Sequence, residues 1–205
     1  MLFPPNPRID LPGAELHLLP GWLGEAEADA LLEALREQTA WETHRIRIFG
    51  KEHDSPRLSC WIGDSGASYV YSRVRFEPRP WPEALAALRP RIDAASGVAM
   101  NSVLANLYRS GQDAMGWHSD DEPELGARPM IASLSLGGTR RFRFRHRHDH
   151  SKTFAMELGH GSLLLMSGDT QANWQHALPR TARPVAPRLN LTFRRIQTQA
   201  SRVHS

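Results

Sequence analysis

The spacing of apolar and polar positions changes along the chain. From Glu25 to about Thr39, Leu31, Leu32 and Leu35 recur at helical spacing, and Glu25 and Glu27 fall in the first turn, where the helix dipole favours negative charge. This pattern predicts an amphipathic helix. A second helix is predicted to open near Trp81-Pro82, with Pro at the tolerated first position. It carries Leu85 and Leu88, is interrupted around Pro90 and ends before Gly97. Between the two, residues 41–76 read as strands and turns, including the run SYVYSRVRF.

From Asn101 onward the pattern becomes short extended runs: NSVLANLYR, the segment around Trp117–Asp120, MIASLSLGG, TRRFRFRHR, KTFAMEL, GSLLLMSG, NWQHAL and RLNLTFRRI. Gly, Pro, Asp and Ser punctuate them, as in an antiparallel double-sheet barrel. RFRFRHR alternates strictly, which turns Phe142 and Phe144 inward and Arg141, Arg143 and Arg145 outward. No internal repeat and no long linker interrupts the chain. The expectation is one α+β, mainly β catalytic domain over residues 1–205.

Length and composition narrow this further. At 205 residues one domain can bury a substantial core. The single cysteine, Cys60, excludes an internal disulfide framework and reads as a small buried apolar residue in a reducing compartment. The N-terminus lacks the basic and apolar regions of a signal peptide, and no run approaches the roughly 18 apolar residues of a membrane span. A soluble, cytoplasmic monomer without membrane association is expected. The net charge of +3 is uneven: residues 139–205 hold 12 Lys+Arg against 3 Asp+Glu, or +9, leaving −6 for the rest. An Arg-rich half suits a polyanionic partner such as nucleic acid, although an arginine bias with solvated charges gives the same composition.

His118 and Asp120 form an H-x-D pair, whose side chains share one face if the segment is extended. His176 supplies a third ligand, completing the two-His-one-carboxylate set that holds non-haem Fe(II) with positions left open. Arg188, twelve residues after His176, suits a bidentate clamp on a carboxylate-bearing cosubstrate. A competing metal site at His146, His148, Asp149 and His150, with His160 nearby, is disfavoured by the surrounding arginines, which repel cations. Zinc hydrolysis at the triad is chemically open but leaves the downstream arginines without a task. A G-x-S-x-G elbow is absent, and GHGSLLLMSG lacks the ending of a phosphate loop.

Asn106-x-Tyr108, WHSDDE (117–122), HGSLLLMSG (160–168), NWQHALPR (173–180) and PRLNLTFRRI (187–196) together resemble the AlkB family of Fe(II)/2-oxoglutarate-dependent nucleic-acid demethylases, closest to its duplex-DNA repair type. The resemblance runs from about residue 40 to 196. It implies a double-stranded β-helix (jelly-roll) core over about 100–196, supporting N-terminal helices, and a nucleotide-recognition lid over about 40–80. It implies Fe(II) on His118, Asp120 and His176, and 2-oxoglutarate held by Arg188 with Asn106, Tyr108, Asn190 and Arg194. Oxygen is the second cosubstrate, and the implied reaction removes an N-methyl group from a base as formaldehyde.

A methylated base must leave the duplex to react, so the resemblance also implies a stacking aromatic, with Tyr71 first and Tyr69 second. Strand packing is the competing reading for both. Glu122 matches a carboxylate facing the base edge, suited to the exocyclic amine of adenine or cytosine. Phe49, in RIFGKEHDSPR, matches the finger that fills the gap left by a flipped base, against an alternative as hairpin core. Arg180 and Arg183 suit backbone phosphates or simple solvation. The expected function is direct-reversal DNA repair of 1-methyladenine- and 3-methylcytosine-type lesions. An RNA or single-strand demethylase, a catalytically idle nucleic-acid-binding jelly roll, and a small-molecule or protein hydroxylase are the alternatives.

Overall fold

Along residues 188–194 polar and apolar side chains alternate, and all seven are buried. Such a strand needs two covered faces of opposite character. The computed structural model describes residues 8–43, 45–48, 51–71 and 74–197, with the side chains of 45–48, 51–54, 69–71 and 74–76 excepted. It supplies both faces.

The chain opens with β1 (Arg8–Ile9), β2 (Glu15–Leu19) and α1 (Glu25–Gln38). Then follow the hairpin β3 (Arg45–Ile48) and β4 (Lys51–Asp54), β5 (Leu58–Gly63), the hairpin β6 (Tyr69–Tyr71) and β7 (Val74–Phe76), and α2 (Glu83–Ser96). The remaining strands are β8 (Ser102–Tyr108), β9 (Met115–His118), β10 (Ile131–Gly137), β11 (Arg140–His146), β12 (Thr153–Leu158), β13 (Ser162–Ser167), β14 (Trp174–Leu178) and β15 (Arg188–Arg194). A one-turn α3 (Thr170–Asn173) precedes β14. No helix among the described residues is long and apolar enough to cross a membrane.

The strands form a seven-stranded sheet, β1-β2-β13-β10-β15-β8-β5, and a four-stranded sheet, β12-β11-β14-β9. The fold is mainly β with antiparallel sheets and few helices, as expected. On the larger sheet, Leu189, Leu191 and Phe193 join Val103, Ala105, Leu134 and Leu136 against Leu31 and Leu35 of α1 and Leu85, Leu88 and Ile92 of α2. The opposite face turns Asn106, Ser133, Arg188, Asn190, Thr192 and Arg194 into a cavity closed by the smaller sheet through Met115, His118, Phe142, His176 and Leu178. Inverting the usual order, the polar face points inward and the helices cover the apolar one.

Several expectations change. Pro90 does not interrupt α2, which runs through it. Pro90 is exposed, so the carbonyl it orphans one turn earlier is placed to be solvated. The helix ends as expected at Gly97, left-handed at φ 72, whose N–H donates to the Asp93 carbonyl. The Pro-rich start contributes two strands to the larger sheet, and β5 forms its far edge, so that sheet draws on residues far before Asn101. In β11, Phe144 is fully buried and Arg141 and Arg143 are exposed, as the alternation requires, while Arg145 is only partly exposed.

Candidate metal centre and anion pocket

β14 lies between β11 and β9, and its register sets His176 opposite His118. Neighbouring strands stand about 4.8 Å apart, so two histidines in register on one face meet. Their rings lie 4.2 Å apart between centroids. One ligand atom from each of His118, Asp120 and His176 falls within 4.8 Å of the others, and among the described residues no second group of three potential metal ligands gathers this way. The histidine-rich segment at 146–150 therefore forms no such centre, in line with its arginine surroundings.

Asp120 corrects one expectation: β9 ends at His118, and the carboxylate sits on irregular backbone just beyond it. His118 Nδ1 lies 2.9 Å from the Gly116 carbonyl. A proton assigned to Nδ1 for that bond leaves the Nε2 lone pair for a metal. His176 Nε2 is 3.8 Å from Asp120 Oδ2, and Asp120 Oδ1 accepts from Arg194 Nη2. Burial, with His118 adding to it, pushes the His176 imidazole down to about 3. Burial also pushes the Asp120 carboxyl up, but Arg194, His176 and His118 outweigh it and hold the group below its ordinary value. Imidazole lone pairs beside a charged carboxylate are a donor set that fits a divalent transition metal.

Deeper in the same cavity, Arg188 is 2% exposed. Its Nη2 donates to Ser135 Oγ (2.9 Å) and Asn190 Oδ1 (2.8 Å), and its guanidinium carbon lies 5.5 Å from the centroid of the Tyr108 ring. Burial, with Arg140 nearby, pulls the guanidinium down to about 10, against the opposing pull of Tyr108. Its Nε has no hydrogen-bond partner, and no carboxylate pairs with Arg188 among the described residues. A buried cation without a counter-charge is costly unless a bound anion completes it. Asn190 is fixed from three sides: Oδ1 accepts from Ser133 Oγ and Arg188, and Nδ2 donates to Thr192 Oγ1. Its remaining amide hydrogen is the one left for a ligand. Asn106 accepts from Arg57 Nε at 2.7 Å, an arrangement that turns its amide nitrogen away from Arg57.

A metal-ligand triad of partly buried His118 with buried Asp120 and His176, and an unneutralised arginine beyond it between two antiparallel sheets, is the geometry of a known enzyme group. The sequence profile of the 2OG-Fe(II) oxygenase superfamily matches residues 15–194. The chain belongs to that superfamily. The cofactors of this family are Fe(II) and 2-oxoglutarate, with oxygen as the second cosubstrate. The chain is 41% identical over 188 residues to human alpha-ketoglutarate-dependent dioxygenase alkB homolog 3, covering 87% of this chain and 65% of the relative. To bovine DNA oxidative demethylase ALKBH2 it is 39% identical over 183 residues, covering 84% of this chain and 66% of the relative. The matched part thus spans slightly under two thirds of these relatives' length. The solved structure of OsALKBH1 superposes with a TM-score of 0.63 at 19% identity, covering 92% of this chain and 100% of that one, a likeness of fold.

Of the residues singled out in the sequence, His118, Asp120, His176, Asn106, Tyr108, Arg188, Asn190 and Arg194 all line this one cavity. Glu122 stands outside that lining, half-buried at the start of a 3-10 turn, Pro123–Leu125. Arg180 and Arg183 are exposed on the segment after β14, which docks through Thr181 N–H onto the Gly111 carbonyl. Phe49 and the side chains of Tyr69 and Tyr71 lie outside the described residues.

Other contributors to the site carry weaker signals in the sequence. Ser133, Ser135 and Thr192 bind Asn190 and Arg188. Their signal is a polar residue recurring every second position in otherwise apolar runs, IASLSLG and RLNLTFR. Phe142, whose ring lies 5.2 Å from that of His176, follows from the alternation of β11. Arg57 and Gln171 are lone polar residues in segments without period, and no local signal marks them.

Proposed function

We propose that this protein oxidatively removes methyl groups from N-alkylated bases of the 1-methyladenine and 3-methylcytosine type in DNA. The observation that carries the reading is the single cavity uniting the His118, Asp120 and His176 cluster with the carboxylate-less guanidinium of Arg188. The printed name of the ALKBH2 relative, a DNA oxidative demethylase, supports the substrate class.

In this reading His118, Asp120 and His176 hold Fe(II), and Arg188 pairs with the distal carboxylate of 2-oxoglutarate. Tyr108, Asn106 and Asn190 shape the pocket around that arm. Arg194, already on Asp120 Oδ1, lies where it steadies both the metal carboxylate and the chelating end of the cosubstrate. Once bound, Fe(II) and 2-oxoglutarate supply the oxidation, turning oxygen and 2-oxoglutarate into succinate and CO2 while the N-methyl group leaves as formaldehyde. Leu104, Met115, Phe142, Met166 and Leu178 line the cavity with apolar surface and limit competing water.

Substrate recognition falls to residues around the mouth. Tyr71, with Tyr69 as second candidate, stacks on the extruded base, and Glu122 accepts from its exocyclic amine. Phe49 occupies the gap in a duplex, and Arg180 and Arg183 meet backbone phosphates. Residues 40–80 act as the recognition lid of a monomeric, single-domain enzyme.

The test supplies Fe(II), 2-oxoglutarate and oxygen with matched single- and double-stranded oligonucleotides bearing one 1-methyladenine, read by mass spectrometry. Loss of methyl with stoichiometric succinate and formaldehyde is expected on both. Phe49→Ala should impair the duplex selectively, and equal activity on both strand types would remove the finger. Succinate without demethylation would move the substrate elsewhere, and no product under confirmed metal loading would overturn the enzymatic reading.

A further inference from the structure

The metal carboxylate stands on backbone that the sheet does not hold. β9 is the outermost strand of the smaller sheet, it ends at His118, and its register with β14 is irregular, pairing His118 with His176 and Met115 with Leu178. Residues 119–122 have no regular structure, yet Asp120 is 2% exposed. A buried N–H outside a ladder needs another acceptor.

That acceptor is a side chain. Asp120 N–H donates to Gln171 Oε1 at 3.0 Å. Gln171 is 1% exposed, on the one-turn α3 that leads into β14 and so to His176. Two neighbouring ties run to the same stretch: Ser119 Oγ donates to the Trp174 carbonyl at 3.0 Å, and Arg147 Nη1 contacts both Asp121 Oδ2 and the Gln171 carbonyl. The Asp121 pair is partly exposed and contributes little, leaving Gln171 as the buried tie and Ser119 as a part-buried one.

α3 is itself anchored. Thr170 Oγ1 accepts from Glu15 N–H at 2.8 Å and donates to the Ser167 carbonyl at 2.6 Å. Gly168, two residues before α3, turns the chain with φ 58, a conformation that L side chains rarely adopt. A fully buried amide is costly to keep where an apolar residue would pack, and here its acceptor is spent on the backbone of a metal-ligand residue.

We propose that Gln171 is a positioning residue for the metal carboxylate, setting where Asp120 stands relative to His118 and His176. The inference rests on the metal reading of the triad. Gln171 does not line the cavity, and acts through the Asp120 backbone. Because β14 carries His176 and α3 carries Gln171, one continuous segment fixes two of the three ligands.

The test is titration of purified protein with Mn(II), followed by electron paramagnetic resonance, on wild type and Gln171→Met. Methionine keeps the volume and deletes the acceptor. The Mn(II) dissociation constant should rise about 10- to 100-fold, as for other residues that orient metal ligands. At saturating Mn(II), affinity for 2-oxoglutarate should stay within about twofold, because Arg188 is untouched. A lowered melting temperature with unchanged Mn(II) affinity would assign Gln171 a structural role only and overturn the proposal. Hydrogen exchange at the Asp120 amide of the wild-type protein decides the same point without a variant. Slow exchange is expected, and exchange as fast as at an open loop amide would overturn it. Wild-type protein that binds no Mn(II) would refute the metal reading itself, leaving the amide exchange to judge the Gln171 bond alone.

Discussion

Asp120 and Arg194 face each other inside the cavity so that one carboxylate oxygen, Oδ1, is taken by the guanidinium, while the other lies 3.8 Å from His176 Nε2. The carboxylate thus offers one oxygen to a metal and keeps the other on a fixed cation. Both residues are nearly inaccessible, at 2% and 3% exposure, so neither charge is relieved by water.

Removing Arg194 leaves a buried carboxylate without its main counter-charge. Arg194→Met should lower the unfolding free energy of metal-free protein by about 3–5 kcal/mol, measured by urea denaturation. Added Mn(II) should recover part of the loss, because a divalent cation replaces the missing charge. An equal deficit with and without metal would contradict this.

Arg188→Met should act on the cosubstrate. Truncating one partner of a buried, hydrogen-bonded charge pair costs about 2–5 kcal/mol, at least about a thirtyfold rise in the KM for 2-oxoglutarate. Arg188→Lys should not restore it, because a point charge lacks the planar fork that meets a carboxylate. Steady-state kinetics against 2-oxoglutarate concentration reads both.

The pH dependence of metal-free stability should carry the signature of His176. Its folded value, about 3, lies below the ordinary 6.5 because of burial. Below pH 6.5 the unfolded chain takes up a proton that the folded state refuses, so stability falls as pH drops from 6.5 towards 3. The limiting slope is about 1.4 kcal/mol per pH unit. Asp120, held below its ordinary value, adds a loss at lower pH still. His176→Phe should remove the first component, as urea midpoints between pH 7 and pH 5 would show.

How much of this was legible depends on period. Arg188 is legible from its chemistry and its distance to His176, and Asn190 and Arg194 from the resemblance; the alternation of RLNLTFR explains why all three share the face that lines the cavity. The ordered ligands His118, Asp120 and His176 were readable because their chemistry is distinctive even at long separation. Asp120 lies beyond the strand that the sequence suggests, because H-x-D spacing is silent about where pairing stops, and the stop is set by β14 and Gln171. The sequence suggests a break at Pro90 because the exposure that makes its lost hydrogen bond tolerable is a tertiary fact. Arg57, buried against Asn106 from 49 residues away, has no period to betray it.

The central claim, that the His118, Asp120 and His176 cluster and Arg188 jointly hold Fe(II) and 2-oxoglutarate, is most directly tested by anaerobic absorption spectroscopy. Protein given Fe(II) and then 2-oxoglutarate should develop the visible charge-transfer band of the chelated cosubstrate. His176→Ala should show none, and Arg188→Met should require far more 2-oxoglutarate. Folded wild-type protein that gives no band, or His176→Ala protein that gives an unchanged one, would contradict the account.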